Sequence, residues 1–273
     1  MIYGVSTHLF ARETLTSHHL DRIAAAGFDN VELFANSHQI DFDDPAALRD
    51  ISRAIDRNQL CVNSIHAPFY ASLEELLEGN LLDISSTNEH LRALSVSEIT
   101  RSLVLASYME VDYYIVHFPG IKNRDALMKS IDELYAVSEQ IRTKLCFENV
   151  PGLNTGVADI VNFIDENKIP FGVCFDIGHS HLEGRVLRDI EEYGIHFYTA
   201  HIHDNNGIHD SHKLPFCGTI PWEEVMEALI KVDYKWGFMM EIKNTEEHPL
   251  DTSLNQISSA ISKLKAISAK TAP

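Results

Sequence analysis

Eight times along this chain a short β-rich run is followed by a longer amphipathic stretch, and that alternation limits the fold more than anything else in the sequence. The strand-like runs are Ile2–Thr7, Asn30–Phe34, Leu60–Ile65, Tyr113–Val116, Lys144–Phe147, Phe171–Phe175, His196–Ala200 and Gly237–Met240. Helical patterns fill the spaces between them. The first covers Ser17–Gly27, with Ser17 as N-cap and Gly27 as the stop. The second covers Pro45–Arg57, with proline in the first turn after Asp43 and Asp44. The others span Asn88–Met109, Arg124–Arg142, Val157–Asn167, Val186–Tyr193, Trp222–Val232 and Leu254–Ile267. Apolar strands alternating with helices argue for a parallel sheet. Eight such units in 273 residues predict a (β/α)8 barrel forming one domain over residues 1–273. An open doubly wound sheet is the runner-up. Its dinucleotide-binding version is unsupported, because no G-x-G-x-x-G follows the first strand. No linker or low-complexity run divides the chain, and Ala269–Pro273 reads as a frayed tail.

In a barrel of this kind the C-terminal strand ends share one rim, where barrel enzymes place their chemistry. Here those ends carry acids and histidines: His8 after the first strand, Glu32 within the second, then His66, His117, Glu148, Asp176 with His179, His201 with His203, and Glu241. The seventh strand opens the densest stretch. His201 to His212 holds four histidines and two aspartates in twelve residues. Imidazole and carboxylate are the usual ligands of zinc, manganese and iron. Carboxylates gathered this closely are costly without a compensating cation, so a metal site is the expected reason for them. A lone histidine at a strand end reads more simply as a hydrogen-bonding rim residue.

Composition narrows the partners. Lys+Arg number 22 against 40 Asp+Glu, a formal net charge of -18. Nucleic-acid affinity rests mainly on basic residues neutralising phosphates, so nucleic acid is a disfavoured partner. No basic-then-apolar leader and no apolar run of about 20 residues is visible, so a cytoplasmic protein outside the membrane is expected. The four scattered cysteines, Cys61, Cys146, Cys174 and Cys217, read as reduced core residues.

The set of rim residues resembles the xylose-isomerase-like TIM-barrel superfamily, which holds sugar isomerases and epimerases and the endonuclease IV group of abasic-site nucleases. The carrying motifs are Glu148-Asn149, Asp176-x-x-His179, His201-x-x-Asp204, Asp210-x-His212 followed by Gly218, and Glu241. The likeness runs over nearly the whole chain, and the motifs are specific only together.

Two site patterns follow from the resemblance. In the epimerase branch one divalent metal is held by the residues matching Glu148, Asp176, His201 and Glu241, and the two glutamates act as acid and base. In the endonuclease IV branch nine residues hold three zincs. All nine have matches: His66, His117, Glu148, Asp176, His179, His201, Asp210, His212 and Glu241. One to three ions, zinc or manganese, are therefore expected.

The loops favour the epimerase branch. Ala67–Glu89 carries Glu74, Glu75, Glu78, Asp83 and Glu89 and no Lys or Arg, which would repel a phosphate backbone. The expected activity is isomerisation or epimerisation of a sugar or related polyhydroxy carbonyl compound through an enediolate, with Glu148 and Glu241 moving the proton. The alternatives are a zinc-dependent phosphoester hydrolase of the endonuclease IV kind and a metal-binding barrel without independent turnover.

Phe10, Phe69 and Lys213 are candidate substrate contacts, with Phe34, Tyr70, Phe118 and Lys243 beside them. Glu32 reads as a rim carboxylate that orients a neighbour, and Asp204 as an orienter behind the ligands. His203 and His209 have no match in either ligand set. Leu76, Leu77, Leu81 and Leu82 in the third loop suit either a lid helix, the favoured reading, or packing on a second copy in a homo-oligomer.

Overall fold

A computed structural model describes residues 1–243 and 250–271. Its eight strands are β1 (Ile2–Ser6), β2 (Asn30–Phe34), β3 (Cys61–His66), β4 (Val111–His117), β5 (Lys144–Glu148), β6 (Gly172–Asp176), β7 (Phe197–Ile202) and β8 (Gly237–Met240). Each pairs in parallel with the next, and β8 returns to β1, so the sheet is a closed barrel in sequence order. Closure rules out the open-sheet alternative and leaves no edge exposed to a second chain.

The helices are α1 (Ser17–Ala25), α2 (Pro45–Asn58), α3 (Leu73–Leu77), α4 (Glu89–Ser102), α5 (Arg124–Ile141), α6 (Val157–Asn167), α7 (Ile177–Leu182), α8 (Val186–Tyr193), α9 (Trp222–Lys231) and α10 (Leu250–Thr271). Local chemistry sets their ends. Asp44 caps α2 by accepting from the Ala46 N–H, with Pro45 in the first turn. Thr16, one residue before Ser17, caps α1: His19 Nδ1 accepts the Thr16 N–H, fixing the start there. Gly27 ends the helix at φ 87, in the left-handed region that glycine enters freely. The long fourth helix stops at Ser102 and tightens into a 3-10 segment over Leu103–Ser107. Tyr114 holds that change in place, its hydroxyl meeting both Ser102 Oγ and the Ile99 carbonyl at 2.6 Å. The third loop forms the short α3, in which Leu77 is 88% exposed.

The main apolar core lies between barrel and helices. The barrel interior is narrower. Along each strand alternate residues point inward, so Cys146 lies below Glu148, Cys174 below Asp176 and Thr199 below His201. Below the rim Tyr113, Ile115, Cys146 and Cys174 form a separate buried cluster, bulky side chains from one strand beside small ones from the next two. Gly4 belongs to the same economy of space, since a Cβ there would strike the Asn30 carbonyl and the Met239 sulfur. Cys61 and Cys217 are exposed, contrary to the core reading, because each lies where strand or loop meets solvent.

Strand pairing brings the rim residues level. Phe34 pairs with His66, His117 with Glu148, and Asp176 with His201, while Ile202 pairs with Met240, one residue before Glu241. A bulge in β3 inserts Asn63 between the pairs Val31–Val62 and Glu32–Ser64. It brings Glu32 and Ser64 into register, and Ser64 Oγ donates to Glu32 Oε2 at 2.7 Å. Among the described residues no helix is long and apolar enough to cross a membrane.

Candidate metal centre

All nine residues of the expected set meet at the C-terminal mouth of the barrel, in three overlapping groups that turn on Glu148. Its Oε2 faces His66 Nε2 at 3.1 Å and His117 Nε2 at 3.6 Å. Its Oε1 faces His201 Nδ1 at 3.2 Å and His179 Nδ1 at 3.6 Å. The two oxygens of one carboxylate thus serve two neighbouring groups. In the central group His201 Nδ1 also lies 3.1 Å from Glu241 Oε2 and 3.9 Å from Asp176 Oδ2. In the third group Asp210 Oδ2 lies 3.3 Å from His179 Nε2 and 3.2 Å from His212 Nε2.

The ring nitrogens that do not face the centre are engaged behind it. His66 Nδ1 meets the Ala67 carbonyl at 2.7 Å, His179 Nδ1 the Asn149 carbonyl at 2.8 Å, and His212 Nδ1 the Glu241 carbonyl at 2.9 Å. Carbonyls only accept, so these nitrogens donate, and each ring turns its Nε2 toward the carboxylates of the centre. His201 is turned the other way. Its Nε2–H donates to Glu32 Oε2 at 2.9 Å, and Nδ1 faces the group. Glu32 therefore orients a neighbour as expected, from inside the barrel and fully buried.

The local fold explains these placements. Asp176 ends β6 and caps α7, accepting the His179 N–H at 2.6 Å. That turn, absent from the strand–helix reading, swings His179 back over Asp176. Asp204 is fully buried and accepts from the N–H groups of Asn205, Phe216, Ile220 and the Trp222 indole. It holds the loop that carries Asp210 and His212, and orients no ligand directly. The Asp204–Lys213 backbone bridge closes that loop, and a Cβ at Gly218 would collide with the Asp204 carboxylate.

Two residues without a counterpart in the expected sets stand in the cluster. His203 Nε2 lies 3.1 Å from Asp176 Oδ1, and its ring stacks on His212 with centroids 3.9 Å apart. His179, His203, Asp210 and His212 together could hold an ion. The signal was the period of two, since His203 has the same parity as His201. Its space is made by Gly178, where a Cβ would fall inside the imidazole. His8 forms a further potential group with His212 and Glu241, and its Nδ1 is buried without a hydrogen-bond partner. His209 lies outside every such group named among the described residues.

The candidate substrate contacts divide. Phe69 stacks on His117, centroids 5.0 Å apart, and Phe34 packs on His66. Phe10 is buried in the core against the His19 ring and stands apart from the cluster, because the 3-10 turn Thr7–Phe10 points it inward. Lys213 and Lys243 are exposed beside the third group. The Tyr70 hydroxyl is taken up by His38 at 3.2 Å.

The electrostatics demand positive charge here. Neither His201 Nδ1 nor Glu241 Oε2 has a hydrogen-bond partner, though both are buried and face each other. Burial opposes charge on His201, yet the carboxylates of Glu32, Glu148 and Glu241 hold its pKa well above the ordinary value. A proton or a metal ion answers the same need, and the nitrogen and oxygen donors suit a divalent cation. Burial pushes the Cys174 thiol well up, so the sulfur beneath His201 stays protonated. The two glutamates are driven apart. Burial would raise both, but His201 and His117 bring Glu148 well below the usual range, whereas Glu241 stays raised.

Residues 20–266 match the family described as xylose isomerase-like TIM barrel. The chain is 28% identical over 268 residues to the uncharacterized protein MJ1311 of Methanocaldococcus jannaschii, covering 90% of this chain and 85% of the relative. It is 25% identical over 245 residues to the D-psicose 3-epimerase of Ruminiclostridium cellulolyticum, covering 82% and 77%. The match to a probable endonuclease 4 of Persephonella marina, 24% identical, takes in 47% of this chain and 48% of that protein. Among solved structures, a D-tagatose 3-epimerase-like protein superposes with a TM-score of 0.77 at 23% identity, covering 99% and 98%. The IolI protein with a bound zinc atom superposes with 0.77 at 15% identity, covering 100% and 99%. With the closed barrel and the rim cluster, the match over nearly the full length makes this chain a member of the xylose isomerase-like TIM-barrel family.

Proposed function

We propose that the protein is a divalent-metal-dependent isomerase or epimerase of a sugar or related polyhydroxy carbonyl compound. The observation that carries this is the central group, Glu148, Asp176, His201 and Glu241. It brings two carboxylates, pushed in opposite directions from the usual range, to 3.2 and 3.1 Å from one nitrogen, His201 Nδ1. Acid–base partners are found where environments push two titratable groups apart. The full-length likeness to a D-psicose 3-epimerase supports the sugar class.

Glu148, Asp176, His201 and Glu241 would hold the ion, which supplies charge to stabilise the negative oxygen that develops when the carbon beside a carbonyl loses its proton. Glu148, kept ionised, takes that proton on one of its oxygens. Glu241, with its raised pKa, returns a proton to the carbon from the other side. Glu32 fixes the His201 tautomer so that Nδ1 faces the group. Phe34 and Phe69 cover the histidine side of the mouth and keep water from the reacting carbon.

A zinc-dependent phosphoester hydrolase is the second reading. It draws on the third group of His179, Asp210 and His212 and on the way Glu148 faces two groups at once. Against it stand the acidic third loop and an endonuclease likeness confined to about half of each chain. Elemental analysis of protein purified without added metal separates the two. The epimerase reading expects about one ion per chain, zinc or manganese. About three zincs per chain, with cleavage of an abasic DNA duplex, would favour the hydrolase.

A further inference from the structure

Beside the metal centre a cleft of about 860 Å³ opens above β3, β4 and β5. This is the size that takes a drug-sized ligand, roughly 300–1,000 Å³, and a single sugar ring fills only a fraction of it. Three successive loops wall it. Phe69 comes from the loop after β3, Phe118 and Pro119 from the loop after β4, and Val150 and Pro151 from the loop after β5. Leu91 and Leu94 of α4 line the outer side, 50% and 41% exposed.

The cleft and the metal centre share a wall. His117 lines the cleft and stands 3.6 Å from Glu148 Oε2, with the Phe69 ring stacked on it. A molecule reacting at Glu148 can therefore extend past His117 into the cleft without leaving the protein. The polar groups at its far end are already matched, since Lys122 Nζ pairs with Asp83 at 2.9 Å. What remains for an occupant is more apolar than polar, with Phe69, Leu81, Leu91 and Leu94 alongside Glu75, Asn80 and Ser86.

The geometry points to a substrate larger than a free sugar: a polyhydroxy carbonyl compound carrying an apolar ring or alkyl substituent, with the substituent seated between Phe69, Pro119 and the Leu91–Leu94 face of α4. This rests on the epimerase reading for the reacting end only. The cleft is concave and is lined by His117, 3.6 Å from Glu148 Oε2, and such a site fits a substituent on the substrate better than the broad face of a second copy.

The test uses the full-length, metal-loaded protein and two probes, methyl β-glucoside and phenyl β-glucoside, with affinities measured by calorimetry. The phenyl probe is expected to bind at least about tenfold tighter. In Leu91→Glu and Leu94→Glu the ratio of the two affinities should fall to about one. Both positions are partly exposed, so thermal denaturation is expected to show folded variants.

Equal binding of the two probes by the wild type, or a phenyl preference that survives in both variants, would overturn the proposal. A dimer in sedimentation that the same variants disperse, without any phenyl preference, would overturn it in favour of a second copy. A phenyl preference with no proton exchange on any ketose would leave the cleft standing and remove the epimerase reading instead.

Discussion

The two sides of the barrel mouth are built to different ends. Around β6, β7 and β8 the mouth is polar and closely packed, with Asp204 alone taking four N–H donors. Histidines there stack on one another, and Gly178 and Gly218 leave no room for a methyl group. Above β3, β4 and β5 the surface is open and apolar, and leucines on α3 and α4 face water. One side is fixed before any ligand arrives, as a charged centre needs to be. The other leaves apolar area uncovered, as a surface awaiting a substrate does. Glu148 and His117 sit on the boundary and belong to both.

The largest effect is expected at that boundary. Glu148→Gln removes the proposed base and a carboxylate shared by two groups. Activity should fall by about 10³-fold or more, within the range for loss of a positioned acid–base group, and metal content should fall with it. Steady-state kinetics and elemental analysis read both. A variant that keeps its metal and its rate would detach Glu148 from the centre.

Glu32→Gln probes the fixed side. Loss of a carboxylate that orients a metal-binding histidine typically costs about 10–100-fold in affinity. Glutamine keeps the shape and an oxygen that can accept from His201 Nε2–H and Ser64 Oγ, so metal-free thermal stability should be largely kept. Weaker metal binding without loss of metal-free stability is the signature of positioning. A parallel fall in both would mean that Glu32 merely supports the barrel.

The smallest effect concerns protons. Asp176 and Asp210 push His179 up to about 10, and the hydrogen bond that His212 donates to Asp210 pushes His212 up to about 9, each against burial. Both pKa values lie above the unfolded value of about 6.5. In the metal-free protein they therefore add stability that is complete below about pH 6.5 and is lost as pH rises through 9 and 10. A metal at this group must displace those protons, so its affinity should rise with pH up to about 10, with about two protons released per ion at pH 7. The dependence of calorimetric enthalpy on buffer counts them. No release would place any bound metal elsewhere.

Much of this was legible in the chain. The βα rhythm gave the barrel because apolar strand runs and capped helices carry strong local signals. The rim set was readable because strand ends converge in any closed parallel barrel. His203 was discounted for want of a counterpart, although its parity with His201 puts it on the same face. His179 needed the extra turn of α7, which Asp176 nucleates as a cap, and Phe10 looked like a rim residue until the 3-10 turn buried it. The cleft was beyond reach, because it is the space between three loops and no single segment encodes it. Its leucines gave a partial hint, and the short helix expected among them is present as α3.

Solvent exchange tests the central claim most directly. Metal-loaded protein incubated with a ketose in deuterium oxide should place deuterium on the carbon beside the carbonyl, and chelation or Glu241→Gln should stop it. Metal-loaded, folded protein that exchanges no proton on any ketose, yet cleaves an abasic duplex, would contradict it.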